Sequence, residues 1–355
     1  MVNHLGGVEL KALVYKGSKE VELTTLEKPV LLDDTDAIIR IVLTTICGSD
    51  VHLVHGHIPT TPGYALGHEY VGIVEEVGSK VKQFKAGDRV VGPAAAYCGG
   101  CERCQKGDIM HCMNGGVHGS GQEFGGLSGS QSEYMRIPYA DVNLVHVPED
   151  LADEQVLFVG DILSTGYFAA EKAAIEHGDS VVVFGAGPVG LCAVQAARLF
   201  LPSQIILVDI DPYRLEVGAR MGATHTINAK EQDPLAVIAE LTKGKGADAA
   251  IEAAGAEITL QQALKCVGLC GRVSLVGIFG QPVSIPLQEA FMKNVRIEMG
   301  LSYLGNIRKL IKLIQMGKID LTPMITHRIT LDEIEKGFKM FEQRTDQVIK
   351  VVVRP

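Results

Sequence analysis

The chain has 355 residues, enough for two domains at roughly 100–200 residues each and for cores that can frame a cleft. Apolar residues make up 46% and charged residues 21%, an ordinary composition for a soluble globular protein. The net charge is −9, and no basic stripe or Arg/Lys cluster interrupts it, which argues against nucleic acid as a partner.

The opening segment, MVNHLGGVELKALVYKG, lacks the apolar core of a secretory signal, so the expected location is cytoplasmic. The first 150 or so residues are β-rich and irregular. Their short apolar runs, such as 37–43 and 70–77, are broken by Gly, Pro and Asp. From Leu163 to about Ser302 the texture changes to strand-like runs alternating with helix-like runs. SVVVF precedes a glycine turn, LCAVQAARLF has helical spacing, QIILVD is a strand, and a helix runs through 214–221. ADAAIEAA, RVSLVGIF and VRIEMG supply later strands, with TLQQALKCV as a helix between two of them. This alternation means βαβ units and a doubly wound parallel sheet. Helices are expected near 306–316 and 331–342, and QVIKVVV closes the chain as a β-rich run. Residues 180–197 carry no charge and approach the length of a membrane span, but their glycines and Gln195 point instead to a buried strand and the helix behind it.

GAGPVG, from Gly185 to Gly190, follows one such strand and opens a helix. That context makes it a dinucleotide fingerprint. Gly185 allows the tight turn, Gly187 lets backbone approach a pyrophosphate, and Gly190 lets helix and strand pack closely. Pro188 and Val189 complete the turn at the helix N-terminus, whose N–H groups and dipole suit phosphates. Asp209 ends the second strand 19 residues after Gly190. A carboxylate there accepts hydrogen bonds from adenosine ribose hydroxyls and repels a 2′-phosphate, which favours NAD over NADP.

Four of the eight cysteines, Cys98, Cys101, Cys104 and Cys112, read C-x2-C-x2-C-x7-C. In a reducing compartment such a cluster binds metal rather than forming disulfides. Four thiolates at this spacing can wrap one zinc ion and leave no open position, so the site is structural. Cys192, Cys266 and Cys270 are expected to be small core residues. His111 is not needed beside four thiols, His118 and His146 have no identifiable partner, and His55 and His57 read as solvated loop histidines. A catalytic zinc needs about three protein ligands and one open position. CGSDVH, from Cys47 to His52, and GHE, from Gly67 to Glu69, offer a thiolate and an imidazole of suitable softness. Glu69 could ligate or sit close behind, and Asp161 in VGDILSTG could supply a third ligand.

CGSDVH, GHE, the four-cysteine lobe, DILSTG and GAGPVG occur in that order, and together they resemble the zinc-containing medium-chain alcohol dehydrogenase family over essentially the whole chain. The resemblance implies a β-rich GroES-like catalytic domain from residues 1–162 and 303–355 and a Rossmann cofactor domain from 163–302. It implies Cys47, His68 and Asp161 as catalytic zinc ligands, with Glu69 a fourth or alternating one. Ser49 would meet the substrate hydroxyl, His52 would pass the proton to solvent, and Asp50 would orient His68. Thr165 would contact the nicotinamide, Val276 its carboxamide, and Arg214 the adenosine ribose. The implied activity is hydride transfer between a small, secondary alcohol and NAD, with two zinc ions per chain and a homotetramer as the assembly. An aspartate at 161, where many relatives have cysteine, resembles bacterial secondary-alcohol and formaldehyde dehydrogenases. Several of the secondary-alcohol enzymes lack the cysteine lobe and prefer NADP, so the substrate does not simply transfer. A polyol or amino-alcohol dehydrogenase with the same metal site, and a non-catalytic protein on this fold, remain the alternatives.

Overall fold

The computed structural model describes residues 9–355. The described residues form two compact units, one from residues 9–161, 303–315 and 325–355, the other from 162–302 and 316–324.

The first unit is built on a seven-stranded sheet. The strands Ile325–Thr330, Lys350–Arg354, Ala37–Thr45, Tyr70–Val77, Arg89–Val91 and Val145–His146 follow in that order, and Tyr134–Ile137 also pairs with Ala37–Thr45. The pairing is antiparallel except between Ile325–Thr330 and Lys350–Arg354. Two cores flank it. Ile39, Ile41, Tyr70, Val74 and Met135 pack in one. Leu13, Ile46, Leu66, Phe338 and Val351 pack in the other. The Ile334–Gln343 helix covers the second core with an apolar stripe. The sheet thus brings chain near residue 46, chain near residue 69 and the last strand to one place.

In the second unit all six strands run parallel. The order is His225–Asn228, Gln204–Asp209, Ser180–Phe184, Ala247–Glu252, Val267–Leu275, Arg296–Met299. Numbered from the unit's first strand this is 3-2-1-4-5-6, the doubly wound order of dinucleotide-binding sheets. Val181, Val182, Val183 and Phe184 are all buried, as a strand covered on both faces requires. The uncharged stretch that begins at Ser180 resolves into the Ser180–Phe184 strand and the Pro188–Ala197 helix. No helix among the described residues is long and apolar enough to cross a membrane.

Four elements of this unit are absent from the sequence expectations, the His225–Asn228 strand and the Ile162–Lys172, Pro234–Leu241 and Leu287–Met292 helices. One cysteine expectation is corrected. Cys192 and Cys266 are buried, but Cys270 is exposed. It stands in a left-handed conformation, φ 59°, in the Val267–Leu275 strand where the register with the neighbouring strand shifts. A bulge turns its side chain away from the core.

Candidate active site

Cys47, His68, Glu69 and Asp161 come together in the first unit, with one ligand atom from each lying within 4.8 Å of all the others. The Ala37–Thr45 strand delivers Cys47 to the N-terminus of the Gly48–Val54 helix. There the Cys47 N–H donates to Asp50 Oδ2 at 2.9 Å, which satisfies a donor that the helix start leaves free. Gly67 takes φ +91° just before His68 and Glu69, a turn that suits glycine. Thr44 Oγ1 and Ser130 Oγ both donate to the Glu69 carbonyl, at 2.9 and 3.2 Å. Asp161 closes the group, its Oδ2 3.2 Å from His68 Nε2 and 3.5 Å from Cys47 Sγ. Ser49 Oγ lies 3.1 Å from the same His68 nitrogen. The other ring nitrogen, Nδ1, faces Asp50 Oδ1 at 3.4 Å.

A tetrahedral zinc ion with ligands at about 2.0–2.3 Å needs donor atoms roughly 3.3–3.8 Å apart, so this set fits one. The electrostatics agree. Burial pushes the Cys47 thiol up, and burial likewise raises the Glu69 carboxyl. Burial works against a charged His68, but Asp50 and then Asp161 outweigh it and raise its pKa well above the usual value. Burial would raise Asp161 too, but His68 and then Lys350 hold its carboxyl below the usual carboxylate range. The donors that do take up protons are short of a cation, and a bound metal replaces those protons.

Sequence reasoning missed Lys350. It is fully buried and forms a close ion pair with Glu69 Oε2, while its Nζ also donates to the Ile46 carbonyl at 3.1 Å. Burial alone would lower its pKa, but Glu69, then Cys47, raise it. Glu69 Oε1 has no hydrogen-bond partner. The signal in the sequence was a single lysine inside the apolar run VIKVVV.

The four-cysteine lobe is also assembled, with one sulfur from each of Cys98, Cys101, Cys104 and Cys112 in mutual reach. Cys101 Sγ is 3.5 Å from Cys104 Sγ and 3.9 Å from Cys112 Sγ. Backbone N–H groups of Cys104 and Met113 hold the Cys101 thiol down at about 6. Burial, then Cys101 beside it, pushes Cys104 to about 12. Four such thiols ionise together only around a cation, and zinc fits. His111 is not among them; its Nδ1 pairs with Asp108 at 2.6 Å.

In the second unit, Gly185 has φ +98° and a Cβ at Gly190 would overlap the Gly185 carbonyl oxygen, so this turn requires glycine. Gly187 is the N-cap of the Pro188–Ala197 helix, with Pro188 and Val189 in its first turn. Asp209 Oδ2 accepts the Ala186 N–H at 2.5 Å, and Oδ1 accepts those of Ile210 and Asp211 at 2.7 and 2.9 Å. The strand-end carboxylate therefore ties the glycine loop down. Arg214 approaches Gly187 and lies 3.9 Å from Asp211. The site fits a dinucleotide, because it sits where the strand order reverses between Ser180–Phe184 and Ala247–Glu252.

Two models of known families match the chain, an alcohol dehydrogenase GroES-like domain over residues 33–149 and a zinc-binding dehydrogenase domain over 188–316. An alcohol dehydrogenase of Cupriavidus necator is 37% identical over 98% of this chain and 99% of its own. The chain belongs to the zinc-containing medium-chain alcohol dehydrogenase family. The NADP-dependent isopropanol dehydrogenase of Thermoanaerobacter brockii is also 37% identical, over 90% of this chain and 92% of its own. The solved alcohol dehydrogenase of Thermus sp. ATN1 superposes with a TM-score of 0.91 at 38% identity, covering 97% of this chain and 99% of that one.

Not every residue that the family resemblance singled out joins the cluster. His52 stands apart from it, with Nδ1 3.0 Å from His57 Nδ1. His55 is not a free loop histidine, since its Nε2 meets Glu342 Oε1 at 2.6 Å. His146 has partners too, Phe84 stacked at 4.6 Å and the Gln83 carbonyl at 3.1 Å. His118 is buried against Tyr70, and burial lowers its pKa to about 3. Thr165 and Val276 lie in the second unit. The Thr165 hydroxyl is 2.9 Å from Ser302 Oγ, and the Val276 N–H donates to the Glu252 carbonyl at 2.9 Å.

The Lys350–Glu69 pair is testable by itself. Removing one partner of a buried ion pair costs about 3–5 kcal/mol, because the other is left uncompensated. Lys350→Met is expected to lose about that much in urea denaturation, and adding Glu69→Gln is expected to restore a large part of it. Wild-type stability in the single variant contradicts this role for Lys350.

Proposed function

We propose that this family member transfers hydride between a small alcohol, in the first place a secondary one, and NAD, giving the ketone (or, from a primary alcohol, the aldehyde), with one catalytic and one structural zinc ion per chain. The observation that carries the proposal is the Cys47, His68 and Asp161 donor set, with the Ser49 hydroxyl 3.1 Å from His68 Nε2. Cys47, His68 and Asp161 would hold the catalytic ion. Glu69 is the alternating donor, since Lys350 occupies one of its oxygens and the other has no partner. Cys98, Cys101, Cys104 and Cys112 would hold the structural one. Zinc in the first site supplies Lewis acidity that brings an alcohol hydroxyl toward a neutral pKa, and the nicotinamide is the hydride acceptor.

The remaining steps belong to side chains of this protein. Ser49 accepts the hydroxyl proton, and His52 hands it on toward solvent. Asp50 faces His68 Nδ1, which leaves Nε2 as the donor atom for the metal. In the second unit, Gly185, Gly187, Pro188, Val189 and Gly190 present backbone to the pyrophosphate, and Arg214 covers the adenosine ribose. Thr165, fixed by Ser302, and Val276 contact the nicotinamide. Asp209 supports NAD. Three backbone donors already hold its carboxylate beside the loop, and a 2′-phosphate there meets a fixed negative charge.

We further propose that the protein works in the cytoplasm as a homo-oligomer, a tetramer. Arg296–Met299 is the outermost strand of the parallel sheet, and Phe291, Met292, Met299 and Leu301 are exposed around it. An open apolar edge of this kind is completed by a second copy of the chain. Light scattering is expected to give a multiple of the 38.1 kDa chain mass; a monomer at micromolar concentration contradicts the assembly.

Purified protein is expected to form NADH with secondary alcohols in a saturable reaction that a zinc chelator abolishes. Cys47→Ala is expected to end turnover while NAD still binds. Full turnover in that variant sinks the metal-site reading. Asp209→Gly is expected to raise the NADP-to-NAD ratio of kcat/KM about tenfold or more, since a like charge beside the phosphate is gone. An unchanged ratio removes the case for NAD.

A further inference from the structure

Behind the proposed catalytic metal site lies a residue that the chemistry above does not use. Gln131 is fully buried in the first unit. Its Nε2 donates to Asp50 Oδ2 at 2.8 Å and to the Thr45 carbonyl at 3.1 Å. Asp50 is also fully buried. Its Oδ2 takes one further hydrogen bond, from the Cys47 N–H at 2.9 Å. Two N–H donors thus converge on one carboxylate oxygen, and the other oxygen is turned toward His68 Nδ1 at 3.4 Å.

Two features show that the side chain is built into this position. Nε2 faces two acceptors, so the orientation of the amide is fixed by its partners. The opposite atom, Oε1, is buried without a partner, an unfavourable placement for a carbonyl that the contact with Asp50 offsets. The path of the chain allows for it as well: a Cβ on Gly67 would come within 2.6 Å of Gln131 Cγ. The residue before His68 therefore lacks a side chain both for its left-handed backbone and to let Gln131 pass.

We infer that Gln131 is a positioning residue of the metal centre, acting through Asp50 to hold the His68 ring and so setting how long zinc is retained. The inference rests on the zinc reading above. An anion buried without a cation of its own needs its oxygens hydrogen-bonded. Gln131 and the Cys47 N–H do this on one side, which leaves the other oxygen free to fix the Nδ1–H tautomer of His68. Partners of this kind change metal affinity by about 10–100-fold when removed.

The test follows zinc release from protein loaded with two equivalents of zinc, using a chromogenic chelator. Cys47→Ala identifies the phase that belongs to the Cys47 site. In Gln131→Met, of similar volume but without the donor, that phase is expected to accelerate about 10–100-fold, while release from the cysteine lobe stays at the wild-type rate. Equal rates at the Cys47 site overturn the inference and leave the zinc reading standing. A wild-type protein that takes up only the lobe ion overturns both. A second measurement needs no variant: in zinc-loaded wild type, NMR is expected to show slowly exchanging Gln131 carboxamide protons and a single Nδ1–H signal for His68. Carboxamide protons that exchange as fast as those of a surface glutamine overturn the inference.

Discussion

Most of the first unit can be understood from one constraint, the need to balance charge in a buried cluster. Cys47, Asp50, His68, Glu69 and Lys350 are all buried, and Asp161 stands beside them. With the thiol and three carboxylates ionised and Lys350 charged, the sum is −4 + 1 = −3. A low-dielectric interior does not hold such a sum without compensation. A divalent cation reduces it to −1. Protons do the same job less specifically, and the upward shifts of Cys47, Glu69 and His68 have that origin. Around the cluster, Gln131 and the Cys47 N–H fix one oxygen of Asp50, while Thr44 and Ser130 hold the backbone carbonyl of Glu69.

The second unit solves a different problem, bringing backbone close to a polyanion. Its six parallel strands reverse order beside Ser180–Phe184, where the Pro188–Ala197 helix begins, the place at which sheets of this order bind dinucleotides. Asp209 then does two things at once. It pins Ala186 in the loop and places a negative charge next to it. Loop geometry and the proposed preference for NAD are therefore coupled through one side chain.

The parallel sheet was legible because strands covered on both faces need continuous apolar runs. SVVVF, QIILVD and RVSLVGIF announce themselves, and the glycines mark the turn. The His225–Asn228 strand escaped for the same physical reason. It lies at the edge of the sheet with His225 and Thr226 exposed, so it has no apolar run to detect. The side chains that cluster as candidate metal ligands were legible as residue types in familiar strings. Their supports were not, because they arrive from far along the chain. Lys350 is 281 residues from Glu69, and Gln131 is 81 from Asp50. Only the lone charge inside VIKVVV hinted at the first, and nothing local marks the second. Cys270 was misjudged because its neighbours look apolar. The flanking glycines in GLCG were the sign that the strand bulges there.

The central claim is that the buried anionic cluster is a zinc site distinct from the cysteine lobe. Anomalous diffraction from crystals of the purified protein, recorded on both sides of the zinc absorption edge, tests it most directly. Two zinc peaks per chain are expected, one among Cys47, His68 and Asp161 and one among Cys98, Cys101, Cys104 and Cys112. A zinc-replete protein with a peak in the lobe and none at Cys47 would contradict the account.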